Sequence, residues 1–123
     1  MATNARRRAE IRGRRGEWLA TWTLRLKGYR IVGLRFKTKT GEVDIIARKQ
    51  NLIVMVEVKA RATLLEAMDA ITPTAMRRIE NAGDIWLAKQ DDFAKLSVRY
   101  DMIAILPRQW PKHVERIFDG GNR

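Results

Sequence analysis

"GEVDIIARKQNLIVMVEVKAR", residues 41–61, holds two runs of β-branched and apolar residues on either side of Gln50-Asn51. Such runs about a polar loop read as a β-hairpin. Whether the loop is Gln50-Asn51 or the four residues from Lys49 to Leu52, the register pairs residues whose numbers sum to 101. Val43, Ile45 and Ala47 then face Val58, Val56 and Val54 on one side, a dry core surface. The other side carries Ile46, Met55 and Ile53 beneath Glu42, Asp44, Glu57 and Lys59. Both faces start apolar, so both are expected to be covered, with the charges gathered at one end of the hairpin.

In this register Asp44 stands opposite Glu57, and Glu42 opposite Lys59, where it is expected to pair. Directly opposed residues have Cβ atoms about 4.5–5.5 Å apart, so two carboxylates placed there repel. They must raise a pKa, pair with a cation or hold a metal ion. A hard divalent cation such as Mg²⁺ suits these oxygen ligands, with water and a substrate phosphate completing its shell. The backbone carbonyl of Val58, between Glu57 and Lys59, is a further candidate ligand. Lys59 shares the face of Glu57, placed to orient an attacking water or to offset charge in a transition state. The chemistry that uses such a group is phosphodiester hydrolysis.

Working outward, "EWLATWTLRLKGYR" places Trp18, Leu19, Trp22 and Leu26 on one helical face, with Gly28 as C-cap. The helix is expected to start near Arg8 or Gly16 and end at Lys27. "YRIVGLRFK" reads as a strand closed by the turn "KTKTG". Thr63 with Glu66 forms a capping box, and Thr72-Pro73 an N-cap followed by Pro at the first helical position, so a short helix precedes a longer one that reaches about Lys89. Ile79, Ala82, Trp86 and Leu87 give the longer helix its apolar face. "LSVRYDMIAILP" is a strand that stops at Pro107, and "HVERIF" a last edge strand. The order helix, three strands, helices and strands implies an α/β fold with a mixed sheet. Trp18, Trp22 and Trp86 are assigned to the core, Trp110 to the surface, and His113 to the surface away from the carboxylates.

Composition narrows the chemistry. The chain has 123 residues, enough for one domain that buries roughly 65% of its unfolded surface. It lacks cysteine and has one histidine, which excludes disulfide scaffolds, thiolate metal sites and cysteine catalysis. No apolar run approaches the roughly 20 residues of a membrane helix, and the first residues lack the apolar core of a secretory signal, so a cytoplasmic protein with no membrane partner is expected. The net charge of +11 points to a polyanionic partner, nucleic acid first. Arg6, Arg7, Arg8, Arg12, Arg14 and Arg15 concentrate part of that charge in a basic extension, residues 1–15, ahead of a domain over 16–118 and a tail over 119–123. Arg61, next to Lys59, is a further candidate phosphate contact.

An Asp, a hairpin, then Glu-x-Lys on the next strand resembles the signature of the PD-(D/E)XK nuclease superfamily. The fuller series "GEWLA", "GEVDII", "VMVEVKAR", "ITP" and "RYDMIAI" resembles the YraN family of bacterial proteins and is similar in arrangement to archaeal Holliday junction resolvases. The resemblance implies a restriction-endonuclease-like α/β fold, a mixed sheet with helices on both faces. It implies Asp44 and Glu57 as ligands of Mg²⁺ or Mn²⁺, Lys59 as the catalytic lysine, and Glu17 as the first-helix glutamate supporting the metal. Ala75 stands where the resemblance leads one to expect a lysine; Arg77 or Arg78 are the substitutes for phosphate contact. Tyr100 replaces the phenylalanine of the late "RFD".

The function expected is a metal-dependent endonuclease acting on DNA ahead of RNA, on branched or damaged structures. Its rival is a nucleic-acid-binding module that keeps the fold and cuts nothing. Resolving a symmetric junction takes two active sites, so that substrate implies a homodimer.

Overall fold

A computed structural model describes the backbone of residues 2–120 and the side chains of residues 13–120. Four of the six arginines of the basic run, Arg6, Arg7, Arg8 and Arg12, have side chains outside that range. Helix α1 spans Ala2–Leu26, starting earlier than Arg8 or Gly16, and is followed by β1 (Arg30–Thr38), β2 (Gly41–Lys49) and β3 (Leu52–Ala60). Helices α2 (Leu64–Asp69) and α3 (Pro73–Ala88) then lead into β4 (Ser97–Ile105) and β5 (Lys112–Phe118).

The caps read from the sequence are in place. The Thr63 hydroxyl accepts the Glu66 amide at 3.2 Å, and that of Thr72 accepts the Ala75 amide at 3.1 Å, each satisfying an otherwise unpaired donor of a helix's first turn. Gly28 closes α1 with φ of 94°, a conformation that glycine adopts without steric cost.

The strands form one sheet in the order β1-β2-β3-β4-β5. Its first three strands are an antiparallel meander, β3 and β4 run parallel across the α2–α3 crossover, and β5 returns antiparallel. Both faces are covered. Ala20 and Leu24 of α1 pack on Ile45, Ala47, Val54 and Val56. On the opposite face α3 presents Ile79 and Ala82 to Ile46, Ile53 and Met55, and α2 seals the far end with Ala67 beside Met102 and Ala104. This is the restriction-endonuclease-like α/β architecture, with one helix on one face and two on the other.

Two corrections concern which side chains face inward. Trp18 and Trp22, assigned to the core, are 60% and 42% exposed, and Leu26 shares their stripe in solvent. The buried face of α1 is Gly16, Ala20, Thr21, Thr23 and Leu24 instead. Small residues win because α1 lies close on the sheet: a Cβ on Gly16 would stand 3.3 Å from Ile105 and 3.8 Å from Val58. The Thr23 hydroxyl donates to the Leu19 carbonyl at 2.9 Å, so its burial costs little. Trp86 packs against the α3-side core, and Trp110 is exposed, both as expected.

His113 is the second correction, since its side chain is buried rather than at the surface. It belongs to a charged knot around Asp101, the one fully buried carboxylate among the described residues. Asp101 accepts Arg99 Nε and Nη2, each at 2.8 Å, the Arg116 amide at 3.0 Å, and pairs with His113 Nε2 at 2.7 Å. Arg99 also reaches the Tyr29 hydroxyl, and Lys27 Nζ lies 2.9 Å from His113 Nδ1, so the turn after α1, β4 and β5 meet here. Burial alone would raise the Asp101 pKa, but the bonds from His113, Arg99 and the Arg116 amide outweigh it and hold the carboxyl below the ordinary range. Replacing Asp101→Ala takes from Arg99 its buried counter-charge and leaves it the exposed Glu115 at 3.6 Å, and a loss of about 3–5 kcal/mol in urea unfolding is expected. A loss below about 1 kcal/mol would show that the knot does not hold the strands together.

Candidate active site

The site is built where β2 and β3 part. The register summing to 101 holds from Lys49↔Leu52 to Ile45↔Val56 and stops there. Beyond it, the Val58 amide donates to Asp44 Oδ2 at 2.8 Å, so a carboxylate takes the place of a strand carbonyl. A residue's N–H and C=O point to the same edge of its strand, and so the Val58 carbonyl opens toward the same gap.

The hairpin therefore departs from simple alternation. Ile45 and Ala47 face α1 as expected, yet Val43 packs with Ile46 and Ile53 on the α3 side. The neighbouring strand turns over at the same step. Phe36, the partner of Val43, faces α3, whereas Leu34, the partner of Ile45, lies beside Trp18 near α1. Between them Arg35 has φ of 50°, a left-handed conformation that is uncommon for a residue with a Cβ. A strict period of two cannot anticipate such a step. Gly41 admits the packing beyond it: a Cβ there would collide with the Arg78 carbonyl oxygen of α3.

Asp44 sits between two groups. On one side is a cleft of about 490 Å³ that it shares with Gly16, Glu17, Arg35, Val58 and Lys37. Arg35 Nε lies 2.9 and 2.8 Å from the two Glu17 carboxylate oxygens and its Nη2 2.6 Å from Oε2. The hydrogen bond and the charge of Glu17 raise the Arg35 pKa. On the other side stands Glu57, in hydrogen-bonding contact with Asp44, and Lys59, whose Nζ is 3.9 Å from Glu57 Oε1. Glu42 is exposed and no ion pair joins it to Lys59; the acidic neighbour of Lys59 is Glu57, which corrects the expected Glu42–Lys59 pair.

Burial, then the hydrogen bond and charge of Asp44, push the Glu57 carboxyl up to about 9, against the opposing pull of Lys59. The gap is short of positive charge, a deficit that a proton or a cation can fill. Two carboxylates and the Val58 carbonyl make a set of hard oxygen donors, which fits Mg²⁺ or Mn²⁺ better than a softer ion. Among the described residues no three acidic or histidine side chains converge on a metal position, so Glu17, held by Arg35, stands beside the pair rather than within it.

The expected nucleic-acid contacts are dispersed. Arg14 lines the cleft and Arg15 is exposed on α1. Arg61 donates to the Ala60 carbonyl at the exit of β3, and Arg77 and Arg78 are exposed on α3. No helix of the described residues is long and apolar enough to cross a membrane.

The folded protein keeps the Glu57 proton to about pH 9, whereas an unfolded chain releases it near 4.5. This group's favourable share of stability is thus whole below about pH 4.5 and is lost as pH rises toward 9. Glu57→Gln is expected to remove that slope and to raise Tm at neutral pH without divalent metal. Unfolding curves of both proteins across pH 4–9 test this, and parallel curves would refute the raised Glu57 pKa.

Comparison with known proteins places this geometry in a group. Residues 16–105 match the model of "Uncharacterised protein family UPF0102", which takes in α1 from Gly16, the hairpin and the end of β4. A UPF0102 protein of Chelativorans sp. is 60% identical over 114 residues, covering 93% of this chain and 92% of its own. The UPF0102 protein mlr4633 of Mesorhizobium japonicum is 56% identical over 118 residues, covering 96% and 94%. One from Bartonella tribocorum is 58% identical over 113 residues, covering 92% and 87%. By a match spanning most of its length, the chain belongs to the UPF0102, or YraN, family.

Proposed function

We propose that the protein is a Mg²⁺- or Mn²⁺-dependent endonuclease that hydrolyses DNA phosphodiester bonds, with branched or damaged DNA as its substrate. The observation that carries this reading is the Asp44–Glu57 pair, with Lys59 and the Val58 carbonyl, at the parting of two core strands. When bound, the ion lowers the pKa of a water and offsets charge on the phosphorane. Asp44, fixed by the Val58 amide, and Glu57 would hold the ion through their oxygens. Lys59 orients the attacking water or offsets transition-state charge from 3.9 Å beyond Glu57. Arg14 and Lys37 line the cleft through which a phosphate reaches Asp44. The family's description names no reaction, so support for this one comes from the site.

A second reading has one observation in its favour: the Arg35 clamp keeps Glu17 from joining the pair, as in a binding module that cuts nothing. The carboxylates speak against it, because two acids at the mouth of a DNA cleft weaken binding unless a cation joins them.

Purified protein with Mg²⁺ or Mn²⁺ on labelled linear, nicked, flapped and four-way-junction DNA separates the two. Metal-dependent cleavage is expected, undetectable in Asp44→Ala and about 10²–10³-fold slower in Lys59→Ala. Mn²⁺ is expected to raise the Tm of wild type and Lys59→Ala but not of Asp44→Ala. Equal DNA binding with no cutting and no metal-induced Tm shift would establish the binding module. Cleavage of a symmetric junction on both strands further predicts a dimer by light scattering.

A further inference from the structure

The two tryptophans that α1 turns outward are set beside the cleft. Trp18 and Trp22 meet edge to face, with ring centroids 6.4 Å apart, and the Arg25 guanidinium lies 5.4 Å from the centroid of Trp22. Trp18 and Leu34 of β1, itself 56% exposed, line a second groove whose rim carries Arg14, Arg25 and Arg35, and Trp22 stands next to it against Trp18. Arg14, Glu17 and Arg35 line the cleft of Asp44 as well, so the two depressions are continuous. Trp and Leu held in solvent on a charged helix mark a contact surface rather than a packing need, since the buried face of α1 is made by other residues.

The occupant follows from the chemistry. Flat apolar rings interleaved with guanidinium groups suit a chain that alternates flat bases with phosphates, because every base offers a π-face and every phosphate a charge. Among the described residues neither Arg14 nor Arg25 is engaged in a salt bridge, so both charges are available to phosphates. In a duplex the base faces are covered by stacking and only unpaired nucleotides can use such a platform.

We infer that Trp18 and Trp22 form a stacking platform for unpaired bases, which leads a single-stranded segment of the substrate into the Asp44 cleft. The inference rests on the nuclease reading of that cleft and deepens it: the preferred substrate carries single-stranded nucleotides next to the scissile phosphate, as flaps, frayed ends and opened junctions do.

The test is run in EDTA, so that binding is read apart from cutting. Labelled oligothymidylate and an abasic deoxyribose-phosphate oligomer of equal length are titrated against wild type, Trp18→Ala, Trp22→Ala and Trp18→Phe. Wild type is expected to bind oligothymidylate more tightly than the abasic chain. Each alanine variant is expected to lose about 5- to 100-fold for oligothymidylate, with abasic binding unchanged and most affinity kept by Trp18→Phe. The side chains are exposed, so an unchanged Tm shows that the variants fold.

Equal affinity of wild type for the two oligomers, or alanine variants that bind oligothymidylate like wild type, would overturn the proposal. So would a wild-type dimer that Trp22→Ala splits with oligothymidylate binding intact, which would assign the surface to a second copy of the chain. If the platform behaves as expected and no substrate is cut with Mn²⁺, the nuclease reading fails and the platform stands.

Discussion

A single hydrogen bond sets the geometry from which the candidate chemistry follows: the Val58 amide donates to a side-chain carboxylate where a neighbouring strand would ordinarily accept it. A buried backbone donor has to be satisfied, and Asp44 does so while parting β2 from β3. The parting frees the Val58 carbonyl and leaves Glu57 on a strand still anchored through β4. The same bond holds Asp44 in one position without a second charge. Glu57 is therefore brought against a carboxylate that cannot retreat, and the demand for a proton or a cation is a consequence of how the sheet is made.

Asp101 shows the opposite solution in the same sheet. Both acids lie on central strands, but Asp101 is met by Arg99, His113 and a backbone amide, whereas Glu57 has one lysine at 3.9 Å and an acid as its nearest neighbour. A carboxylate with its acceptor capacity filled holds strands together. One left wanting positive charge has capacity for something from outside the chain. The contrast separates a structural acid from a candidate ligand without reference to any relative.

Much of this was legible in the sequence where local chemistry decides the outcome. The hairpin register as far as Ile45↔Val56, both threonine caps and the element order depend on short spacings, and those are where expectation and structure agree. The inward face of α1 was not legible, because Trp18, Trp22 and Leu26 make the more apolar stripe, and only the approach of the sheet reveals that Gly16 and Ala20 have to face it. Val43 escaped for a similar reason, since the step at Arg35 lies on another strand. His113 was assigned to the surface for its place near the end of the chain, whereas the sheet carries it beside an acid twelve residues earlier. The candidate site was legible as a set of residues. Its asymmetry, with Asp44 between a Glu17 held by Arg35 and a buried Glu57 whose pKa is raised, was not.

The left-handed step at Arg35 reaches beyond the site. β1 pairs only with β2, so its outer side is an open row of backbone donors and acceptors, the kind of edge on which sheets grow from one molecule to the next. Arg30, Arg35 and Lys37 charge that edge, and the step at Arg35 interrupts its straightness. The residue that clamps Glu17 thus also charges and bends the open edge of the sheet. A β-branched residue at position 35 would favour a straighter strand and remove a charge from the rim. One substitution would then release Glu17 from its ion pair and straighten the open edge together.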